Sequence, residues 1–170
     1  MKNGFIQFLK EKFLRMAKSQ LSATGRVDAA VFFVIETGDR NITVAQIADI
    51  DQFLVDQEAK ERLHQYLNVI WVRMKAKESN FNRLLCVCAV ADSWYAHATK
   101  KDVNAPGYSV SKDINRKECI ALCCNFPDKT EMYQVLYERA EGEGIVYGDE
   151  AGPDEVAEGI MSRLYPDSAR

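Results

Sequence analysis

The five cysteines are the side chains in this sequence best suited to metal or nucleophilic chemistry, and they fall in two apolar runs, Leu84 to Val90 and Cys119 to Phe126. Cys86 and Cys88 share one face of any strand drawn through them, which is how a thiolate ligand set begins. Cys119 and Cys123 lie four strand residues apart, roughly 13 Å at the usual rise and too far for one tetrahedral ion. The two histidines, His64 and His97, supply one lone ligand each. On this spacing no metal and no cofactor is expected. A cysteine nucleophile needs a base within hydrogen-bond reach, and Cys88 is nine strand positions from His97. Thiols set among Leu, Val, Ile and Ala favour the neutral form and behave as small buried hydrophobes. Their odd number also argues against a closed disulfide framework.

A second group of chemistry-bearing residues flanks the loop between these runs. Asp92-x-Trp94 follows the first run, and Ser111-x-Asp113-x-x-Arg116-Lys117-Glu118 precedes the second. If the runs pair as strands, their polar ends meet. Asp92, Trp94, Tyr95, Arg116 and Glu118 are therefore the candidate contact residues. Arg116 suits a bidentate pair with Asp92 or Glu118 while lying over the Trp94 ring. Such an arrangement either only fastens the stems of the loop or lines a groove that receives a peptide or small ligand. Carboxylate-dependent hydrolysis would instead require three or more of Asp92, Asp113, Glu118 and their neighbours to converge. The sequence has no phosphate-binding glycine loop, nucleophile elbow or zincin helix, so no catalytic residue is assigned.

These residues need elements to position them. Phe5, Phe8, Leu9, Phe13, Met16 and Ala17 recur at helical spacing, giving an amphipathic helix within residues 1–26. Its apolar face either docks on the chain's own sheet or adsorbs to an anionic membrane. Val27 to Thr37, the turn Gly38-Asp39-Arg40-Asn41, and Ile42 to Ile47 read as a two-stranded hairpin. A competing reading takes Thr43-x-x-Gln46 as a capping box within a helix-turn-helix. Leu63, Tyr66, Leu67, Ile70, Trp71 and Met74 mark the main helix, between Leu54 and Ser79. Leu84 to Ala98 is a strand that begins buried and emerges, and 99–116 is a long loop, either mobile or functional. Lys117 to Phe126 and Thr130 to Ala140 continue a meander, with a short strand at Ile145 to Tyr147. Pro153, Asp154 and Glu155 open a final helix that stops near Pro166.

The expected fold is one α+β domain over 1–170: a single antiparallel sheet of about five strands with helices packed on it, in the order αββαβββα. At the level of topology this looks like roadblock, longin and profilin-like arrangements, which serve mostly as binding platforms. Over roughly 27–150 the sequence also resembles a loose group of small bacterial and phage proteins with no established activity. There an acidic-x-Trp strand end, a variable loop and a Ser-x-Asp-Pro-x-Arg-x-Glu-like strand start recur. Here Ile114 and Asn115 replace the proline-containing centre.

The net charge of −3 conceals an asymmetry. Residues 1–26 hold six basic residues against Glu11 alone, whereas 127–170 hold eleven acidic and four basic residues. Such polarity either steers a partner, aligns protomers or simply solvates helices. The first apolar segment is broken by Lys10, Glu11, Lys12, Arg15 and Lys18, so neither a signal peptide nor a membrane span is expected, and a reducing cytoplasm is the default. The resulting expectation is a cytoplasmic, non-enzymatic interaction or regulatory domain, with a protein or small ligand as partner and self-association open through the first helix or a sheet edge. A carboxylate-dependent hydrolase or nuclease is the first alternative. A nucleic-acid binder using the basic first helix is the second and the less favoured.

Overall fold

The computed structural model describes residues 2–53, 57–95, 106–107, 116–155 and 163–170. Its elements are helix α1 (Lys2–Thr24), strands β1 (Ala30–Thr37) and β2 (Ile42–Ile47), helix α2 (Gln57–Lys77), and strands β3 (Phe81–Tyr95), β4 (Lys117–Asn125), β5 (Thr130–Ala140) and β6 (Gly144–Glu155). The strands form one six-stranded antiparallel sheet in the order β2-β1-β3-β4-β5-β6. The α+β class and the single antiparallel sheet are as expected. Among the described residues no helix is long and apolar enough to cross a membrane.

Two expectations are corrected. The sheet has six strands rather than about five, because the segment expected to hold a three-residue strand is the twelve-residue β6. The order αββαβββα also fails at its end: Pro153, Asp154 and Glu155 finish β6 instead of opening a helix. Proline lacks the N–H that a central strand must donate, but β6 is an edge strand, where that loss is tolerated. Residues 156–162 of the expected helix lie outside the described residues, and Asp167–Ala169 form a short 3-10 turn. The long loop likewise lies outside them apart from Pro106, Gly107 and Arg116.

The hairpin forms as the β-branched and aromatic run dictates. Val31 pairs with Ile47, Phe33 with Ala45 and Ile35 with Thr43, which excludes the helix-turn-helix reading. Its turn is closed by the Thr37 N–H donating to the Asn41 carbonyl at 2.9 Å, with Arg40 in the left-handed region and the Asp39 carboxylate accepting from Thr37 and Asn41. Asp39 consequently titrates below the ordinary carboxylate range, chiefly through the Thr37 hydroxyl.

The chain divides into two compact units built from interleaved segments. The first comprises Met1–Asp28, Ala91–Ala121 and Tyr133–Gly152. In it Leu9, Phe13, Ala17 and Leu21, spaced by four, form with Leu14 the buried stripe of α1. The helix is tied to β6: the Tyr147 hydroxyl donates to the Lys18 carbonyl at 2.7 Å, and Lys10 and Lys18 pair with Glu150 at 3.2 and 3.3 Å. Part of the basic charge of the first segment is thus met by the acidic last strand. Gly25, at φ +77°, ends α1 with its N–H on the Leu21 carbonyl, a left-handed cap that a side chain would strain.

The second unit comprises Ala29–Val90, Leu122–Met132 and Pro153–Arg170. Here Val31, Phe33 and Ile35 of β1 and Val87 and Ala89 of β3 pack with Leu63, Leu67 and Trp71 of α2. Phe33 and Trp71 meet edge to face, their centroids 6.0 Å apart. Wholly buried Asn125 fastens this unit: its amide donates to the Val87 carbonyl at 3.2 Å, while its oxygen accepts from Thr130 Oγ1 at 2.9 Å and the Leu164 N–H at 3.1 Å.

Candidate functional site

The polar ends of β3 and β4 come together in the first unit, as their sequences suggested. Ala91 of β3 is buried, and Asp92, Ser93 and Trp94 beyond it are exposed. Period-two alternation then sends Asp92 and Trp94 to one face of the strand. Arg116, one residue before β4, lies with its guanidinium carbon 4.7 Å from the Trp94 ring centre, the cation–π contact expected from the sequence.

Asp92 is held from both sides. One carboxylate oxygen accepts the Val27 N–H at 2.8 Å, and the other accepts the Tyr137 hydroxyl at 3.1 Å. Glu118 is gripped by a guanidinium, that of Arg139 on β5: Nε lies 3.2 and 3.1 Å from its two oxygens, and a second nitrogen donates at 3.2 Å. Arg139 also donates to the Gly25 carbonyl at 2.8 Å, so this side chain joins the end of α1 to β4. The Tyr137 hydroxyl reaches Glu118 as well, at 3.4 Å. Its single proton therefore sits between two carboxylates, closer to Asp92.

The electrostatics follow from this geometry. Burial, and then the charges of Asp92 and Glu118, push the Tyr137 phenol well above its usual range. Hydrogen bonding to Glu118 raises Arg139 further still. Cys119, buried near Asp92, is pushed up to about 11 by burial and by that carboxylate. A thiol so placed is a poor nucleophile at neutral pH.

The candidate residues can now be placed. Asp92 and Glu118 meet at Tyr137, and Trp94 and Arg116 meet each other. Tyr95 closes β3, but its side chain lies outside the described residues, as do His97, Ser111 and Asp113. His64 is a packing histidine of α2, its Nε2 at 3.2 Å from the Tyr165 carbonyl. Sequence reasoning missed Tyr137 and Arg139. The signal available was the alternation Tyr133, Val135, Tyr137 followed by Arg139, which puts tyrosine and arginine on one face, although only strand register reveals which carboxylates they meet. It also missed a grouping in the second unit, where Cys124 joins Cys86 and Cys88 with all three sulfurs within 4.8 Å of one another.

No family model matches the chain, and comparisons with curated proteins and with solved structures find no match to it.

Proposed function

We propose that this chain is a non-enzymatic interaction domain whose contact patch is the Trp94–Arg116 pair, taking a peptide or small ligand that carries an anionic group. The observation that carries this reading is an indole 41% exposed with a guanidinium stacked on it. Tryptophan and arginine are the residue types that concentrate binding energy at interfaces, because they offer large rigid surfaces with polar edges. The guanidinium charge at the indole favours an anionic partner.

The neighbouring network supports a positioning role over a catalytic one. The oxygens of Asp92 and Glu118 are engaged by Val27, Tyr137 and Arg139, which fixes the stems from which Trp94 and Arg116 project. A hydrolytic carboxylate would need an oxygen directed at water or metal. The test is affinity capture from the native host with wild type, Trp94→Ala and Arg116→Ala, read by mass spectrometry of proteins and small molecules. At least one captured species should fall about tenfold or more with either variant, the usual effect of removing a binding anchor. Identical capture by all three proteins, each folded by circular dichroism, would count against this reading.

A further inference from the structure

In the second unit, Cys86 Sγ lies 3.7 Å from Cys88 Sγ, and Cys88 Sγ lies 3.8 Å from Cys124 Sγ. All three residues are fully buried. The geometry has a simple origin. Cys86 and Cys88 are two apart on β3 and share a face, and Cys124 on the adjacent strand β4 faces Cys88. A metal bonded to sulfur at about 2.3 Å holds its ligands about 3.8 Å apart in tetrahedral geometry and slightly further in trigonal geometry. The thiols therefore stand near ligand spacing with little rearrangement of the strands.

We propose that Cys86, Cys88 and Cys124 form a binding site for a single thiophilic d10 ion, Cu(I) in preference to Zn(II), held by three sulfurs. Soft sulfur donors select Cu(I) and zinc over harder ions. The number of donors separates the two. Structural zinc almost always takes four ligands, and among the described residues this ligand group consists of three sulfurs. Phe32 and Val34 of β1, paired with Cys88 and Cys86 on the same face, are apolar and offer no fourth donor. Cu(I) is content with three sulfurs in dry surroundings.

Binding displaces thiol protons: as each sulfur–metal bond forms, the S–H bond of that cysteine breaks. The protons pass to solvent, and neither metal nor sulfur changes oxidation state.

The full chain, refolded without oxygen in the presence of excess glutathione, provides the test, with Cu(I) and Zn(II) added in separate arms. Wild type should retain a single copper per chain through desalting, show ultraviolet sulfur-to-copper charge transfer, and gain roughly 5–10 °C in thermal midpoint at about a hundredfold excess over Kd. Cys124→Ser and Cys88→Ser should lose all three signals, while Cys119→Ser, outside the trio, keeps them. Thiols packed only for volume would bind no metal in wild type, which overturns the proposal. Retention by both Cys124→Ser and Cys88→Ser overturns the ligand assignment. Zinc bound through the trio with no copper bound overturns the choice of ion. Should either serine variant fail to fold, alkylation of Cys86, Cys88 and Cys124 in urea is compared between copper-loaded and metal-free wild type by mass spectrometry: slower labelling with copper supports the site, and equal labelling overturns it.

Discussion

Two clusters of polar or ionisable side chains sit on the same sheet and are built on opposite terms. The network of Asp92, Tyr137, Glu118 and Arg139 stands at strand ends open to water, with the Arg139 side chain 46% exposed. The groups around Asn125 and the three thiols are sealed among apolar residues. In the first cluster the charged partners reach solvent that can replace them, while the Tyr137 between them is buried, so each ionic bond contributes modestly and the gain is position. In the second there is no solvent to substitute, so each unmatched group costs its full desolvation. The lesson is that charge stays where solvent can reach it, whereas the structural demand falls on uncharged groups.

Deleting the buried amide breaks this comparison most directly. Asn125→Ala removes hydrogen bonds to the Val87 carbonyl, Thr130 and the Leu164 N–H. Leaving such groups buried and unmet costs about 1–3 kcal/mol each, partly relieved by relaxation, so a total loss of about 3–5 kcal/mol is expected in urea denaturation. A loss below about 1 kcal/mol would mean that water reaches this site and that the contrast between the clusters is false.

The next effect belongs to Tyr137 and has a pH signature. Tyr137→Phe removes the hydroxyl that Asp92 and Glu118 share, at an expected cost of about 1 kcal/mol near neutral pH. The phenol titrates higher in the folded state than its ordinary value of 10.0. The folded protein therefore holds the proton after the unfolded chain has lost it. The stability this contributes is complete below pH 10, declines as pH rises above that value, and is gone once the folded phenol ionises. Denaturation midpoints from pH 8 to 11 should fall less steeply in Tyr137→Phe than in wild type. Equal slopes would remove the phenol from the network.

Much of this arrangement was legible beforehand, for reasons that differ by element. The hairpin and α2 were readable because Val31 to Ile35 are β-branched or aromatic in succession, and Leu63, Leu67 and Trp71 repeat at helical spacing. β6 was largely hidden, since Gly148, Gly152 and Pro153 suit an edge strand yet read locally as breakers, and Pro153-Asp154-Glu155 also has the composition of a helix start. Among candidate residues, Asp92, Trp94, Arg116 and Glu118 were identified because they flank one connection. Tyr137, Arg139 and Cys124 were not, because each meets its partners across strands, and register is a non-local property.

The ion pair should respond less than Tyr137. Replacing Glu118 or Arg139 by alanine should cost about 0.5–1 kcal/mol, and a double-mutant cycle should return a coupling of similar size that shrinks with added salt. A coupling that holds in high salt would place this pair with the sealed cluster rather than the open one.

The smallest stability effect separates a positioning residue from a contact residue. Arg116 lies over an exposed ring, so Arg116→Ala should change unfolding free energy by less than about 0.5 kcal/mol. The same substitution uncovers one face of Trp94. The protein has two tryptophans, and Trp71 is buried, so acrylamide quenching reports almost entirely on Trp94. Quenching should rise in the variant while stability holds. If stability instead falls by more than about 1 kcal/mol, Arg116 is a structural member of the network. The exposed pair would then be a fastening of the strand ends rather than a surface kept available for a partner.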